Sequence, residues 1–216
     1  MSSRYLADYG ATIIHVETSH HIEILRTTPP YKNGVIGVDQ TGYFAQYNVN
    51  KYGITLNLNH PRGVEIAKKL IAWADVVTES FTPGMMEKWG LGYEEIKKIK
   101  PDIIMLRTCM HGQTGPHSHL PGTGVNLVGI TGLAHLCGWP DRDPSQPYGP
   151  YTDSVAARFC AIMLVAALDD GLSIEWVDSS EIPDGAWTCT PYGMGSIAPR
   201  SPEIKVEIAR LGLGVY

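Results

Sequence analysis

Short runs of β-branched residues alternate along this chain with segments whose apolar side chains recur at helical spacing. This alternation restricts the possible folds more than any single motif does. The strand-like runs lie at 11–17, 54–58, 74–78 and 103–108. Strands that alternate with helices are typical of parallel sheets, because each parallel connection has to cross the sheet. The sequence therefore predicts an α/β fold with a Rossmann-like, mostly parallel sheet flanked by helices.

Helices are predicted before, between and after these strands. One begins near Pro61, and its apolar stripe consists of Val64, Ala67, Leu70, Ile71 and Ala74. Others are predicted at 2–9, 83–89 and 93–99, with a partly helical stretch at 126–136. A long helix opens at Asp153, and its predicted buried side consists of Val155, Phe159, Ile162, Met163 and Ala166. Glycine- and proline-rich loops are predicted at 18–43, 112–123 and 139–151.

Composition excludes several classes of partner. The net charge of −5 argues against nucleic acid as the main partner, since phosphate binding requires a basic face. No apolar run approaches the roughly 20 residues of a membrane helix, so no membrane contact is predicted. The cysteines are widely and irregularly spaced, which favours reduced thiols in a cytoplasm. The histidine pairs lack a cysteine or carboxylate at ligand spacing, so no metal site is predicted.

Four segments occur in a fixed order. They are residues 47–58 (YNVNKYGITLNL), 74–84 (ADVVTESFTPG), 112–116 (GQTGP) and 151–154 (YTDS). From residue types alone, Thr152 or Asp153 before an apolar helix is an ordinary N-cap. Together, however, the segments resemble the class III coenzyme A transferase family, of the formyl-CoA transferase and carnitine CoA-transferase type.

The resemblance implies that Asp153 is a covalent nucleophile. In this family, the aspartate that follows a short Gly-Pro loop and opens a long apolar helix attacks the thioester of an acyl-CoA. An aspartyl anhydride and then an aspartyl-CoA thioester form before a carboxylic acid takes the coenzyme A. Coenzyme A is thus implied as a substrate, with no tightly bound cofactor. A position at a helix start is expected to keep the carboxylate ionised.

The resemblance also implies a set of coenzyme A contacts. Leu56 matches a residue that packs on adenine, although a buried strand residue fits equally well. Lys88 replaces an arginine that contacts phosphate, and a lysine lacks the bidentate fork. Arg26 matches a family arginine for which a salt bridge and ligand binding remain open. The full implied set is Thr18, Arg26, Leu56, Asn59, Ser80, Phe81 and Lys88.

Two departures from the family pattern concern the surroundings of the nucleophile. Many members have an acidic residue where this chain has Gly124, close to the nucleophilic aspartate. The related acyl-CoA racemases require a histidine where this chain has Thr123, so a racemase is disfavoured.

The likeness extends from about Arg4 to Leu168. We therefore expect a CoA-transferase large-domain-like region at 1–168 and a divergent tail without its own core at 169–216. This makes the chain incomplete relative to the family's interlocked two-domain fold, and a truncation or a change of reading frame near Leu168 would explain it. Family members assemble, so a homo- or hetero-oligomer with a family-type subunit is implied.

Three functions remain to be compared. The first is a CoA-transferase that uses acyl-CoA and carboxylate substrates. The second is a non-catalytic coenzyme A-binding companion subunit or an inactive fragment, which the altered phosphate positions and Gly124 favour. The third, a Rossmann dehydrogenase, is set aside because no GxGxxG motif follows a strand.

Overall fold

The computed structural model describes residues 1–147, 149 and 151–169. The strands are β1 (Ile13–Glu17), β2 (Lys51–Thr55), β3 (Val76–Glu79) and β4 (Ile104–Arg107). The helices are α1 (Ser2–Asp8), α2 (Gly42–Tyr47), α3 (Pro61–Trp73), α4 (Met85–Lys88), α5 (Tyr93–Ile99), α6 (Gly124–Ile130), α7 (Leu133–Leu136) and α8 (Tyr151–Asp169). The predicted elements beyond residue 169 lie outside the described residues.

The chain divides into two compact units, Met1–Leu70 and Ile71–Tyr216. In the first unit, β1 and β2 pair in parallel, and the register runs from Ile13 opposite Lys51 to Glu17 opposite Thr55. In the second unit, β3 and β4 pair in parallel, with Glu79 opposite Arg107. The predicted parallel pairing is confirmed, and the described residues form it as two separate two-stranded sheets.

The second strand begins earlier than predicted. The sequence predicts it at 54–58, whereas β2 spans Lys51–Thr55. Asn57 ends the extended segment, because its side-chain oxygen accepts a hydrogen bond from the backbone N–H of Asn59 at 3.0 Å. Helix α3 then passes so close that a Cβ on Gly63 would overlap the Asn57 carbonyl. The apolar residues after Thr55 are therefore connection rather than strand.

The core of the second unit lies around β4, which is buried along its whole length. Each Å2 of apolar surface that such a core buries contributes roughly 25 cal/mol to the free energy of folding, and this is the main favourable term. The largest fully buried side chains of the described residues are Leu91, Ile96, Ile103, Met105, Leu164 and Thr152. Leu164 comes from α8, so the long helix is anchored in this core.

The first long loop is more ordered than the sequence predicts. Segment 18–43 contains two short 3-10 helices, Ile24–Arg26 and Lys32–Gly34, and α2 begins at Gly42. An antiparallel bridge joins Tyr31 to Thr41. Turn-forming residues mark where a chain changes direction but not which turns pair with each other, so this bridge had no sequence signal.

The buried face of α8 differs from the predicted one. The predicted residues Phe159 and Ile162 are 36% and 48% exposed. The buried positions are Thr152, Ala157, Cys160, Ala161, Leu164 and Ala167. Apolar residues surround the whole helix, so periodicity does not select one face, and small side chains permit the closest packing.

Helix α8 has 19 residues and a mean hydropathy of 1.4 over the relevant window, of which 33% is buried. By length and composition alone it could cross a membrane, and it is longer than the apolar runs recognised in the sequence. The core helix of a soluble protein passes the same test, and Leu164 is fully buried in the core.

Candidate functional site

Asp153 lies in the first turn of α8 and not at its cap, because the helix begins at Tyr151. Its carboxylate lies against the bare Cα of Gly124, the buried first residue of α6. A Cβ at Gly124 would overlap Asp153 Oδ2 and would lie 2.6 Å from Asp153 Cγ. The predicted proximity of these two positions is thus confirmed. The carboxylate occupies the space that a side chain at 124 would need.

A hydrogen bond from α8 fixes this contact, and a second hydrogen bond caps the start of α6. The hydroxyl of Thr152, which is 1% exposed, donates to the Gly124 carbonyl at 2.8 Å. At the start of α6, the backbone N–H of Thr123 donates to the side-chain oxygen of Asn126 at 2.8 Å. The two helix starts are therefore joined directly beside Asp153.

Burial raises the pKa of Asp153 above its ordinary value of 3.8, and a hydrogen bond from its own backbone only partly opposes this. The sequence predicts that the helix start favours the ionised form. The direction of the pKa shift is opposite, because loss of hydration disfavours the charge more strongly. A poorly hydrated carboxylate has fewer water contacts to lose when it forms a bond to carbon, which suits a nucleophile.

The loop 80–84 follows β3 in the same unit. Glu79 accepts a hydrogen bond from the backbone N–H of Phe81 at 2.7 Å, through Oε2. The ring of Phe81 lies edge-on against Trp89, with 5.1 Å between the ring centres. Phe81 remains 43% exposed, and Ser80 and Lys88 are exposed as well. The predicted contacts Ser80, Phe81 and Lys88 therefore lie on or beside one loop at the carboxyl end of β3.

A cavity of about 640 Å3 brings this loop together with the loop 112–116. Pro83 and Gly84 line one part of it, and Gln113 and Thr114 line another. The remaining lining residues are Glu87, Tyr93, Glu94, Lys97 and Arg107. Asp153 is not among the described lining residues. The structure thus brings together two of the four segments on which the family resemblance depends.

Arg107 connects the residues around this cavity. Its Nε donates to Glu79 Oε1 at 2.7 Å, and its two terminal nitrogens donate to the two Glu87 oxygens at 2.6 and 3.1 Å. The side chains of Arg107 and Glu79 are 9% and 2% exposed. Burial alone would raise the pKa of Glu87, but the hydrogen bonds from Arg107, a backbone hydrogen bond and the charge of Arg107 together outweigh it, and that pKa is lowered.

The other predicted contacts lie in the first unit. Leu56 is buried, and its backbone N–H donates to the Glu17 carbonyl at 2.8 Å, which extends the pairing of β1 and β2 by one step. Thr18 follows Glu17, and its hydroxyl accepts from the backbone N–H of His20 at 3.3 Å. Asn59 is exposed in the turn that follows. These residues lie at the carboxyl ends of the two parallel strands.

Arg26 forms ion pairs within the first unit. Its Nε and one terminal nitrogen donate to the Glu17 carboxylate at 2.7 and 2.8 Å, and its other terminal nitrogen donates to Asp39 at 2.6 Å. The guanidinium also lies 3.5 Å from the centre of the Phe44 ring. The hydrogen bonds from Arg26 lower the pKa of Glu17. Of the two roles left open for Arg26, the structure contains the salt bridge.

His15, Glu17 and Glu23 form a cluster that the sequence did not predict. Their ligand-type atoms lie within 4.8 Å of one another, which is the range of a metal site. The Glu17 carboxylate, however, is held by Arg26 in a bidentate ion pair. Burial lowers the pKa of His15 and raises that of Glu23, so both side chains tend toward their neutral forms. The cluster therefore combines the ion pair between Glu17 and Arg26 with two side chains whose charged forms are disfavoured.

The comparison with protein families decides the family. The model of CoA-transferase family III matches residues 1–175. The chain belongs to CoA-transferase family III.

Individual relatives agree with this family. The chain is 38% identical over 164 residues to the succinyl-CoA:glutarate CoA-transferase of Mus musculus, covering 76% of this chain and 36% of the relative. It is 38% identical over 144 residues to the succinyl-CoA–L-malate CoA-transferase beta subunit of Chloroflexus aurantiacus, covering 66% of this chain and 34% of the relative. The chain thus spans about a third of the length of these relatives.

A solved structure supports the fold. The chain is similar to a CaiB/BaiF family protein from Brucella suis, with a TM-score of 0.70 and 30% sequence identity. The alignment covers 80% of this chain and 46% of that chain. The chain thus matches the fold of that protein over a little under half of its length.

Sequence reasoning missed the residues that support the site. Glu79 lies inside a recognised motif, but its two hydrogen-bonded partners are not evident from spacing. Arg107 had one usable signal, since a charged residue that ends a fully apolar strand needs a partner when it is buried. The sequence gives no signal for the hydrogen bond of Thr152, because its acceptor, Gly124, lies 28 residues away.

Proposed function

We propose that this chain transfers coenzyme A from an acyl-CoA thioester to a carboxylic acid, with Asp153 as the covalent nucleophile. The observation that supports this most strongly is the partly buried Asp153 carboxylate at the start of α8, in a chain of CoA-transferase family III. Gly124 leaves the carboxylate oxygen room beside α6, and Thr152 fixes the turn from which it projects.

The reaction proceeds by repeated acyl substitution. An Asp153 oxygen bonds to the thioester carbonyl carbon, the C–S bond breaks, and coenzyme A leaves as a thiolate. The thiolate attacks the aspartyl carbonyl of the anhydride, which gives aspartyl-CoA and releases the donor carboxylate. The acceptor carboxylate then attacks the carbonyl carbon of aspartyl-CoA, the C–S bond breaks, and a second anhydride forms as the coenzyme A thiolate leaves again. Finally the thiolate attacks the acceptor's carbonyl carbon, which gives the new acyl-CoA and regenerates Asp153.

The proposed coenzyme A contacts fall into two groups, one in each unit. Thr18, Leu56 and Asn59 belong to the first, and Ser80, Phe81 and Lys88 to the second. Arg26 would have to exchange Glu17 or Asp39 for a phosphate in order to contact the ligand. The relatives named above act on succinyl-CoA with glutarate or L-malate, so a succinyl donor and a small dicarboxylate acceptor are the first pair to test.

The proposal extends to assembly and cellular location. One relative is named as a beta subunit of a CoA-transferase, which supports an oligomer that includes a family-type subunit. In the described part of the chain, Cys109, Cys137 and Cys160 are not joined to one another by disulfides, which supports a reducing, cytoplasmic setting.

The direct experiment measures coenzyme A transfer by the purified chain with succinyl-CoA and glutarate, following glutaryl-CoA by chromatography. Asp153→Asn is the matched variant, since the amide has nearly the same shape and cannot form the anhydride. We expect wild-type transfer and its loss in the variant, with coenzyme A affinity retained in both. Equal transfer by both proteins would refute the nucleophilic role.

A companion subunit is the second candidate, since the chain spans only about a third of its relatives' length. It predicts coenzyme A binding without transfer, in wild type and variant alike. Calorimetric titration with coenzyme A separates the two candidates from an inactive fragment, which would bind none.

A further inference from the structure

The loop 80–84 is held at both of its ends by a single side chain. Glu79 precedes the loop and Glu87 follows it, in α4, and the Arg107 guanidinium donates hydrogen bonds to both carboxylates. We name the set Glu79, Arg107 and Glu87 the arginine bridge. We propose that Arg107 is a positioning residue for coenzyme A binding, which fixes the loop 80–84 in its ligand-binding conformation. This inference rests on the proposed function.

The geometry of the arginine bridge requires a guanidinium. The Nε–H faces Glu79 at 2.7 Å, while both terminal nitrogens face Glu87 at 2.6 and 3.1 Å. These donors lie on different edges of one planar group, so the two carboxylates are held in a fixed relation to each other. A lysine ammonium is a single point of charge and has no second edge to offer. It would retain one carboxylate and release the other.

Glu79 transmits this restraint to the loop. Its second oxygen accepts the hydrogen bond from the Phe81 backbone N–H at 2.7 Å, so the carboxylate joins Arg107 to the loop backbone. Phe81 in turn packs its ring against Trp89. The Glu79 side chain is 2% exposed, so water does not replace a lost partner easily. A change at Arg107 therefore alters the first residues of the loop.

Arg107 also lines the cavity beside the loop. Pro83 and Gly84 contribute one wall of that cavity, and Gln113 and Thr114 contribute another. The arginine is committed to two carboxylates, so its role toward a ligand in this cavity is to hold the wall. Its burial and its two partners distinguish it from Lys88, which is exposed.

The test compares three variants of the full 216-residue chain. Arg107→Lys keeps a positive charge beside the buried Glu79, so the variant chain is expected to fold. The lysine ammonium, however, cannot span both carboxylates. Glu87→Gln releases only the half-exposed end, because the Glu87 side chain is 49% exposed. Lys98→Gln is the matched control, since it removes an exposed ion pair to Glu95, 2.6 Å long, in the same unit.

Two readouts separate positioning from general stability. Hydrogen exchange at the Phe81 amide reports the loop, with the β4 amides as the internal reference for the fold. Calorimetric titration reports coenzyme A affinity. Arg107→Lys is expected to accelerate exchange at Phe81 and to weaken coenzyme A binding about tenfold or more, with β4 protection unchanged. Glu87→Gln should give a smaller change in the same direction, and Lys98→Gln none.

Full coenzyme A affinity in Arg107→Lys and in Glu87→Gln would overturn the positioning role. So would loss of affinity accompanied by equal loss of protection throughout β4, since that describes a fold defect. Failure of the proposed function has a different signature, because the wild-type chain itself would then not bind coenzyme A.

Discussion

Replacing Gly124 by alanine tests the packing of the candidate nucleophile directly. The new methyl group would overlap Asp153 Oδ2 and lie 2.5 Å from the Thr152 hydroxyl oxygen. Both groups must move, and overpacking of this kind costs about 1–3 kcal/mol. The shift also weakens the buried hydrogen bond from Thr152 to the Gly124 carbonyl, which is worth about 1 kcal/mol.

One effect acts in the opposite direction. Alanine is favoured over glycine in a helix by up to about 1 kcal/mol, and position 124 opens α6. The net loss of unfolding free energy is therefore about 1–3 kcal/mol. At this chain length, each kcal/mol corresponds to about 2–4 °C in Tm. The displaced carboxylate should also slow acyl transfer about 100-fold, since a 1 Å misplacement has that effect.

The assay is thermal unfolding together with coenzyme A transfer, and the chain offers a matched control. Gly129 lies in the same helix, and a Cβ there would meet no atom within 4 Å. Gly129→Ala should therefore raise stability by about 0.5–1 kcal/mol and leave transfer unchanged. If Gly124→Ala proved as stable as Gly129→Ala and as active as wild type, the contact between Gly124 and Asp153 would be refuted.

Three further predictions concern stability. Because burial raises the folded-state pKa of Asp153, the wild type is stabilised by protonation; Asp153→Asn should be the more stable protein at pH 7, and the gain should vanish below about pH 3.8 in urea titrations. Arg26→Gln should show the opposite dependence, since Arg26 lowers the pKa of Glu17: its loss of stability should be present at pH 7 and decrease as the pH falls below 4.5. Leu164→Ala removes a side chain with 0% exposure, so the free energy of unfolding should fall by about 2–5 kcal/mol in the same titrations, both at pH 7 and in acid. A pH-independent difference for Asp153→Asn or Arg26→Gln, or a negligible loss for Leu164→Ala, would contradict the respective assignment.

The strands and their parallel pairing follow from local pattern. Val76–Glu79 and Ile104–Arg107 begin with short β-branched or apolar runs, and burial of Ile104–Arg107 along its whole length explains why that strand lacks alternation. Strand β2 lies earlier in the chain than predicted, because the side-chain hydrogen bond of Asn57 and the close approach of α3 at Gly63 end it before residue 58. Such contacts depend on tertiary structure and have no sequence period.

The candidate site likewise contains some residues that sequence motifs mark and others that only the fold brings together. Asp153, Ser80 and Phe81 belong to motifs that occur in a fixed order, so the sequence proposes their roles, which remain predictions. The sequence does not predict the arginine bridge, because Glu79 and Arg107 are 28 residues apart and meet only when β3 pairs with β4. The buried face of α8 is equally hidden, since its apolar residues surround the helix. Small residues such as Ala157 form part of the buried face, and their hydrophobicity alone does not distinguish them from the larger apolar residues of the helix.

The proposed mechanism requires that Asp153 becomes acylated. The most direct measurement incubates the chain with succinyl-CoA, adds hydroxylamine, and maps the modified peptide by mass spectrometry. We expect a hydroxamate at Asp153 that is absent from Asp153→Asn. An unmodified Asp153 in a chain that binds coenzyme A, or a modification at another carboxylate, would contradict it.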